Sequence, residues 1–149
     1  MTPDEHALLQ EEIKALNKAG EILTQSYKKC QAFGIKETYS IDELESIEAF
    51  TSRFARTADI LTQRMFRLID ELDLDNEGTV RDRINRAEKK ELIEQADAFV
   101  EIRKLRNTIA HEYQPNAPEK IYDDVLKSTP NLFDSIERIN RYITKYNEG

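Results

Sequence analysis

Apolar side chains recur every three or four positions along the first half of the chain, which is the period of an amphipathic α-helix. The pattern predicts one helix from about Asp4 to Phe33 and a second from about Ile41 to Leu74. The first stripe consists of Leu9, Ile13, Leu16, Gly20, Leu23, Tyr27 and Cys30. The second consists of Leu44, Ile47, Phe50, Phe54, Leu61, Met65, Leu68 and Leu72. Because Gly20 has no side chain, it predicts a point where another helix packs closely.

The second half of the chain predicts three further helices. A short one covers about Val80 to Lys89, a fourth covers about Glu91 to Ala110, and the last covers Glu119 to Tyr146. Pro130 divides this last region, either as a further helix start or as a kink inside a longer helix. Long helices joined by short connections favour antiparallel packing. We therefore expect a single all-α domain over residues 1–149, an antiparallel bundle of four to five helices.

Three of these helices begin with a capping signature. Thr2, Ser40 and Thr79 are each followed three positions later by Asp or Glu. A hydroxyl at this position accepts from free backbone N–H groups, and the acid suits the positive end of the helix dipole. The signatures therefore fix where these helices start.

Composition narrows the class of protein. The 149 residues carry 22 Lys and Arg against 29 Asp and Glu, for a net charge of −7. This balance disfavours bulk nucleic-acid binding but permits a small local basic site. Cys30 is the single cysteine, so no internal disulfide and no cysteine-based zinc site is expected, which suits a cytoplasmic protein. No apolar run is long enough for a membrane span, and we expect neither a membrane partner nor a bound metal or cofactor.

A basic stripe runs beside the apolar face of the second predicted helix. Its members are Arg53, Arg56, Arg64 and Arg67. One interpretation is a solvated edge whose arginine stems cover the core. The other is a track for RNA phosphates, because the planar guanidinium matches phosphate oxygens. A second cluster allows the same two interpretations, and it consists of Arg81, Arg83, Arg86, Lys89 and Lys90.

The segment 103–113 carries the most chemistry. His111 lies near the end of the fourth predicted helix, and Asn107, one turn before it, shares its face and could orient the imidazole. Arg106 and Tyr113 lie on a neighbouring face if the helix continues that far. One surface patch could therefore hold a guanidinium for a phosphate, an imidazole for proton transfer and a phenol at its rim.

These residues resemble the motif of the HEPN superfamily, in which an Arg and a following polar residue precede a His. Arg106, Asn107 and His111 match it, with four residues between the Arg and the His. Tyr113 extends the match to the Arg-x4-His-x-Tyr pattern of the toxins in HEPN–minimal-nucleotidyltransferase toxin–antitoxin pairs. The resemblance is strong over about eleven residues and architectural elsewhere.

The resemblance implies a metal-independent endoribonuclease that works as a homodimer, with two motifs facing one cleft. Arg106 and His111 would be catalytic, and Asn107 would hold His111 or a phosphate oxygen. In this family a partner nucleotidyltransferase transfers AMP to the tyrosine that matches Tyr113, and transfer RNA is the usual target. From the residues alone, Arg103 and Lys104 are either solvated or add phosphate contacts beside the motif.

Each of these assignments has a plainer alternative. His111 could be an ordinary surface histidine, and Arg106 could form an ion pair with Glu101 or Glu112. Asn107 could be a surface amide, and Tyr113 could pack against the following loop. At the level of the whole protein, the alternatives are a non-catalytic partner of RNA or of a nucleotidyltransferase, and a structural bundle.

Overall fold

The computed structural model describes residues 1–111 and 117–147, and these residues contain helices and no β-strand. The elements in chain order are α1 (Pro3–Phe33), α2 (Ile41–Asp59), a π-helical segment (Ile60–Met65), α3 (Phe66–Leu72), α4 (Val80–Lys89), α5 (Ala96–His111), α6 (Ala117–Tyr142) and a 3-10 helix (Ile143–Asn147). Helices α2 and α3 and the π-helical segment between them follow one another without a break and form one long rod. The prediction of an all-α bundle is confirmed.

The three capping signatures mark the starts of α1, α2 and α4. The hydroxyls of Thr2, Ser40 and Thr79 each accept from the backbone N–H three residues later, and an acidic side chain at that position accepts in return. Both halves of the capping box are present at each start, so two otherwise unpaired backbone donors are satisfied. The predicted starts of these helices are confirmed to within one residue.

Helix α2 lies at the centre of the bundle and packs against α1, α5 and α6. The apolar stripes predicted for α1 and the long rod supply most of its core, in which Leu16, Phe50 and Phe54 have no exposed surface. Gly20 faces α6, and a Cβ placed there would lie 2.9 Å from Cδ1 of Ile136. The predicted close approach at Gly20 is therefore confirmed, and α6 is the helix that makes it.

The predicted start of the fourth helix at Glu91 is wrong, because α5 begins at Ala96. Glu91 has a positive φ of 62°, which ends the preceding helical turn. The cap of α5 comes from α4, since Oε1 of Glu88 accepts from the backbone N–H of Ala96 at 2.8 Å. A cap supplied from eight positions earlier in the chain leaves no local signature.

Of the two interpretations of Pro130, a new helix start is wrong, because Pro130 lies inside one longer helix. Helix α6 continues through this residue from Ala117 to Tyr142. Pro130 is exposed, so its ring occupies solvent instead of the interior of the bundle. The neighbouring Thr129 is buried, and its hydroxyl donates to the carbonyl of Val125 at 2.6 Å.

The π-helical segment interrupts the long rod where α5 packs beside it. Its hydrogen bonding widens the helix, with the N–H of Phe66 donating to the carbonyl of Leu61 five residues earlier. The ring of Phe66 lies 5.6 Å from the ring of Phe99 on α5.

None of the described helices is both long and apolar enough to cross a membrane.

Candidate functional site

A groove with a volume of about 660 Å³ lies between α5 and the part of the long rod that contains the π-helical segment. Its charged lining is mainly cationic and comes from both walls. The residues that bear on function are Arg56, Asp59, Ile60, Arg64, Arg103, Arg106 and Asn107. The groove therefore brings two of the three predicted catalytic residues, Arg106 and Asn107, next to part of the basic stripe.

Arg106 is held by a forked ion pair with Asp59, which lies at the end of α2. Its Nε donates to one carboxylate oxygen at 2.6 Å and its Nη2 to the other at 2.9 Å. The hydrogen-bonded Asp59 carboxylate raises the pKa of the Arg106 guanidinium. The expected alternative partners were Glu101 and Glu112, but the carboxylate that binds Arg106 comes from a different helix. Because two donors point at one carboxylate, the plane of the guanidinium is fixed.

Asn107 and His111 lie on the last turns of α5. The Oδ1 of Asn107 accepts from Nη1 of Arg106 at 3.5 Å, at the long end of the hydrogen-bond range. Within the described residues Asn107 makes no hydrogen bond to His111, so the orienting role predicted for it is not formed in this single chain. His111 is exposed and is the final residue of α5. Its ring is therefore accessible from solvent.

The structure divides the six predicted RNA-binding cations. Arg56, Arg64 and Arg103 line the groove, whereas Arg53, Arg67 and Lys104 do not. Arg53 donates to the hydroxyl of Ser26 at 2.7 Å and lines a neighbouring depression between α1 and α2. Lys104 is exposed and forms an ion pair with Glu101 at 3.1 Å on the same helix.

The groove cations differ in how well they are paired. Arg64 forms a fork with Glu12 of α1, with contacts of 2.7 and 2.9 Å. Arg56 is exposed and has no ion pair or hydrogen bond with any side chain in residues 1–111 and 117–147. The Nη1 of Arg103 is fully enclosed and lacks a hydrogen-bond acceptor among those residues. Arg56 therefore has donors available for an anion, whereas Arg103 carries an enclosed donor that no described residue satisfies.

Asp59 is the site residue that the sequence analysis missed. It is the only acidic residue between Arg56 and Arg64 in a stretch otherwise free of negative charge. A lone carboxylate inside a basic stripe is a usable signal, because it must either pair locally or reach a cation on another helix. Its partner lies 47 positions away, which no local spacing rule would have identified.

Tyr113, the predicted site of AMP attachment, lies outside the described residues. Across the described part of the chain no three His, Cys, Asp or Glu side chains are arranged to hold a metal ion.

Comparison with known proteins leaves the family of this chain open. No protein-family model matches the sequence, and no curated protein matches it either.

Proposed function

We propose that this chain is a HEPN-type endoribonuclease whose active site forms when two copies bring their Arg106 and His111 motifs to one cleft. The observation that carries the proposal is the fixed guanidinium of Arg106 in a cationic groove, on the same helix as an exposed imidazole. An acidic protein that concentrates arginines in one groove has a local site for a polyanion.

The ion pair with Asp59 leaves Arg106 able to bind a phosphate. A guanidinium has five N–H donors, and Asp59 takes one from Nε and one from Nη2. One N–H of Nη1 donates to Oδ1 of Asn107 at 3.5 Å, so one donor of Nη1 and one of Nη2 remain for phosphate oxygens. Asp59 therefore acts on the reaction through Arg106 as a positioning residue. Donors fixed before the substrate arrives stabilise developing charge without reorganisation.

Cleavage in this proposal uses the 2′-hydroxyl next to the scissile phosphate. His111 of one copy accepts the proton of the 2′-hydroxyl while its oxygen forms a bond to phosphorus. The bond from phosphorus to the 5′-oxygen breaks, and a protonated His111 from the second copy donates a proton to that oxygen. The products are a 2′,3′-cyclic phosphate and a 5′-hydroxyl. Acid and base stand on opposite sides of the phosphorus, which is why a single His111 does not suffice.

The family resemblance supplies the substrate and the regulator in this proposal. Transfer RNA is the proposed target, and a cognate minimal nucleotidyltransferase is the proposed antitoxin. Transfer of AMP to Tyr113 would add phosphate charge and bulk close to the motif and would compete with RNA for the same donors. Coexpression with that enzyme should increase the mass of the chain in steps of AMP, and Tyr113→Phe should abolish the increase.

The test is an RNA cleavage assay with purified protein. Wild type should cut total transfer RNA in the presence of EDTA and leave 2′,3′-cyclic phosphate and 5′-hydroxyl ends. His111→Ala and Arg106→Ala should both lose this activity. His6→Ala removes the only other histidine and should cut normally, so it controls for the loss of an imidazole as such. Undiminished cutting by His111→Ala and Arg106→Ala would refute the assignment, and loss of activity with EDTA would refute the metal-free mechanism.

A non-catalytic RNA-binding module is the second candidate. The absence of an Asn107–His111 hydrogen bond among the described residues favours it, since an unrestrained imidazole is a poor proton-transfer group. In that case the wild-type protein should bind transfer RNA with strong salt dependence and produce no new ends.

A further inference from the structure

A second cationic site adjoins the groove on the side of α3 and α4. It is a small polar pocket with a volume of about 160 Å³. Three arginines line it, Arg67 from α3 and Arg83 and Arg86 from α4. We call it the arginine pocket. Arg67 and Arg83 belong to separate clusters along the sequence, but the turn between α3 and α4 brings them to one site.

The three arginines are paired very differently. Arg86 is structural, because it donates to the buried carboxylate of Asp70 at 3.0 Å and to the carbonyl of Glu77 at 2.6 Å. Arg67 has one long contact of 3.3 Å to Glu71, and both side chains are largely exposed. An exposed ion pair of this kind contributes little to the stability of the fold, so Arg67 can readily exchange Glu71 for water or another anion.

Arg83 has no carboxylate partner among the described residues. It is half-buried, and its one hydrogen bond runs from Nη1 to the carbonyl of Thr62 at 3.2 Å. Burial lowers the pKa of Arg83, and the nearby positive charges of Arg67, Arg86 and Arg103 lower it further, while Asp70 opposes them. A guanidinium that is partly desolvated among like charges gains from a bound anion.

The arginine pocket continues the groove. Thr62, whose carbonyl binds Arg83, lines the groove, and so does Arg103. Arg103 is close enough to Arg83 for their charges to repel, and its enclosed Nη1 has no acceptor within the described residues. Cationic donors therefore extend from Arg106 through Arg103 to Arg83 and Arg67. Two carboxylates also line the arginine pocket, Asp70 and Glu71, and both already have cationic partners.

We propose that Arg83 and Arg67 bind a backbone phosphate of the RNA strand that occupies the groove, at a nucleotide away from the scissile bond. This inference rests on the proposed function for the identity of the ligand. The chemistry that recognises it is a phosphate oxygen accepting from two guanidinium groups. The site contributes binding and takes no part in bond breaking.

The test measures binding of a fluorescein-labelled, single-stranded 2′-O-methyl oligonucleotide, which lacks the attacking hydroxyl and cannot be cut. Affinity is measured by fluorescence anisotropy over a range of KCl concentrations. Arg83→Gln and Arg67→Gln should each weaken binding by about 3- to 10-fold and reduce the slope of log K against log salt by roughly 0.7. Arg83→Lys keeps the charge and should keep most of the slope.

Arg81→Gln is the matched control. Arg81 lies on the same helix, is exposed, and is paired with Asp97 at 3.2 Å outside the arginine pocket. It should change neither affinity nor slope. An unchanged slope in Arg83→Gln would overturn the proposal. So would an equal loss in Arg81→Gln, which would reveal a bulk charge effect, or a fall in the slope of Arg83→Lys equal to that of Arg83→Gln, because Lys retains the charge that the slope reports.

Two further arms separate the possible outcomes. Inorganic phosphate and pyrophosphate are tested as ligands by thermal shift. Stabilisation that depends on Arg83, combined with unchanged oligonucleotide binding in Arg83→Gln, would assign the site to a free phosphate compound and overturn the RNA assignment. His6→Ala, which removes the histidine outside the proposed site, should bind the oligonucleotide as wild type does. Failure of the nuclease proposal therefore appears in cleavage, whereas failure of this inference appears in the binding of Arg83→Gln.

Discussion

Two regions of this molecule concentrate charge, and they pair it in opposite ways. The first is the groove between α5 and the long rod. The second, which we call the anchor cluster, joins α3, α4 and the C-terminal 3-10 helix, and it consists of Asp70, Asp73, Arg86, Lys90, Tyr142, Lys145 and Tyr146.

Every carboxylate oxygen of the anchor cluster has a donor. Asp70, only 2% exposed, accepts from Arg86 and from Lys90, at 3.0 and 2.8 Å. Asp73 accepts from the hydroxyls of Tyr142 and Tyr146 at 2.5 and 2.6 Å, and two lysines lie 3.2 Å from it. In the groove, by contrast, Arg56 and Arg103 have donors without acceptors among the described residues. Complete pairing marks charge that stabilises the fold, and incomplete pairing marks charge available to a ligand.

The largest effect predicted by this comparison is on catalysis. His111→Ala should reduce RNA cleavage by roughly 10²–10⁴-fold, because it removes both the proposed acid and the proposed base. Its free energy of unfolding should stay close to that of wild type, because His111 is exposed. Single-turnover cleavage and urea unfolding measure the two quantities on one preparation. If His111→Ala unfolds at a lower urea concentration than wild type, then His111 contributes to the stability of the fold.

Asp70→Asn should have the converse effect. It leaves Arg86 without a carboxylate partner and Lys90 with Asp73 alone, which should cost about 3–5 kcal/mol of unfolding free energy. The control is Asp123→Asn, which breaks an exposed pair with Lys127 and should cost less than about 1 kcal/mol. Equal losses in urea unfolding would show that the anchor cluster is no more than a surface network.

Asp59→Asn should affect the groove while sparing the fold. The loss of one carboxylate charge loosens the fork on Arg106 and should slow cleavage by about tenfold. The decrease should appear in the rate of the chemical step, with little change in substrate affinity. The control is Glu101→Gln, which breaks the ion pair with Lys104 on α5 outside the groove. This variant should cut at the wild-type rate. A wild-type rate in Asp59→Asn would remove the positioning role.

The smallest effect concerns acid stability. Burial acts to raise the pKa of Asp73, but hydrogen bonds from Tyr142, Tyr146, Lys90 and Lys145 outweigh it and lower the pKa. The ionised carboxylate therefore stabilises the fold above about pH 4, the usual value, and this contribution is lost as the pH falls through the lowered pKa. Asp73→Asn should show a shallower loss of unfolding free energy below pH 4. An identical pH profile would exclude Asp73 as a source of this dependence.

The sequence predicted local features well. The starts of α1, α2 and α4 follow from Thr2, Ser40 and Thr79, because a capping box is complete within four residues. Amphipathic spacing likewise predicted the core and the close approach at Gly20. What it missed depends on side chains that meet from distant positions. The cap of α5 comes from Glu88, and no pattern along α5 contains it.

The same distinction between local features and distant contacts applies to the candidate site. The motif residues could be selected from one segment, because Arg106, Asn107 and His111 lie within two turns of one helix. The sequence could not show which arginines of the basic stripe are free to bind a ligand, because that depends on ion pairs with residues on other helices. Glu12 on α1 pairs with Arg64, while Arg56, about two turns earlier on the same stripe, has no such neighbour in the described residues.

The central claim is that two imidazoles, one from each copy, act on one phosphodiester. The most direct test mixes wild-type and His111→Ala chains at constant total concentration, allows subunits to exchange, and measures transfer RNA cleavage. If both imidazoles are required, activity should follow the square of the wild-type fraction and fall to about a quarter in an equal mixture. Activity that falls in direct proportion to the wild-type fraction would show that each chain acts alone and would contradict the account.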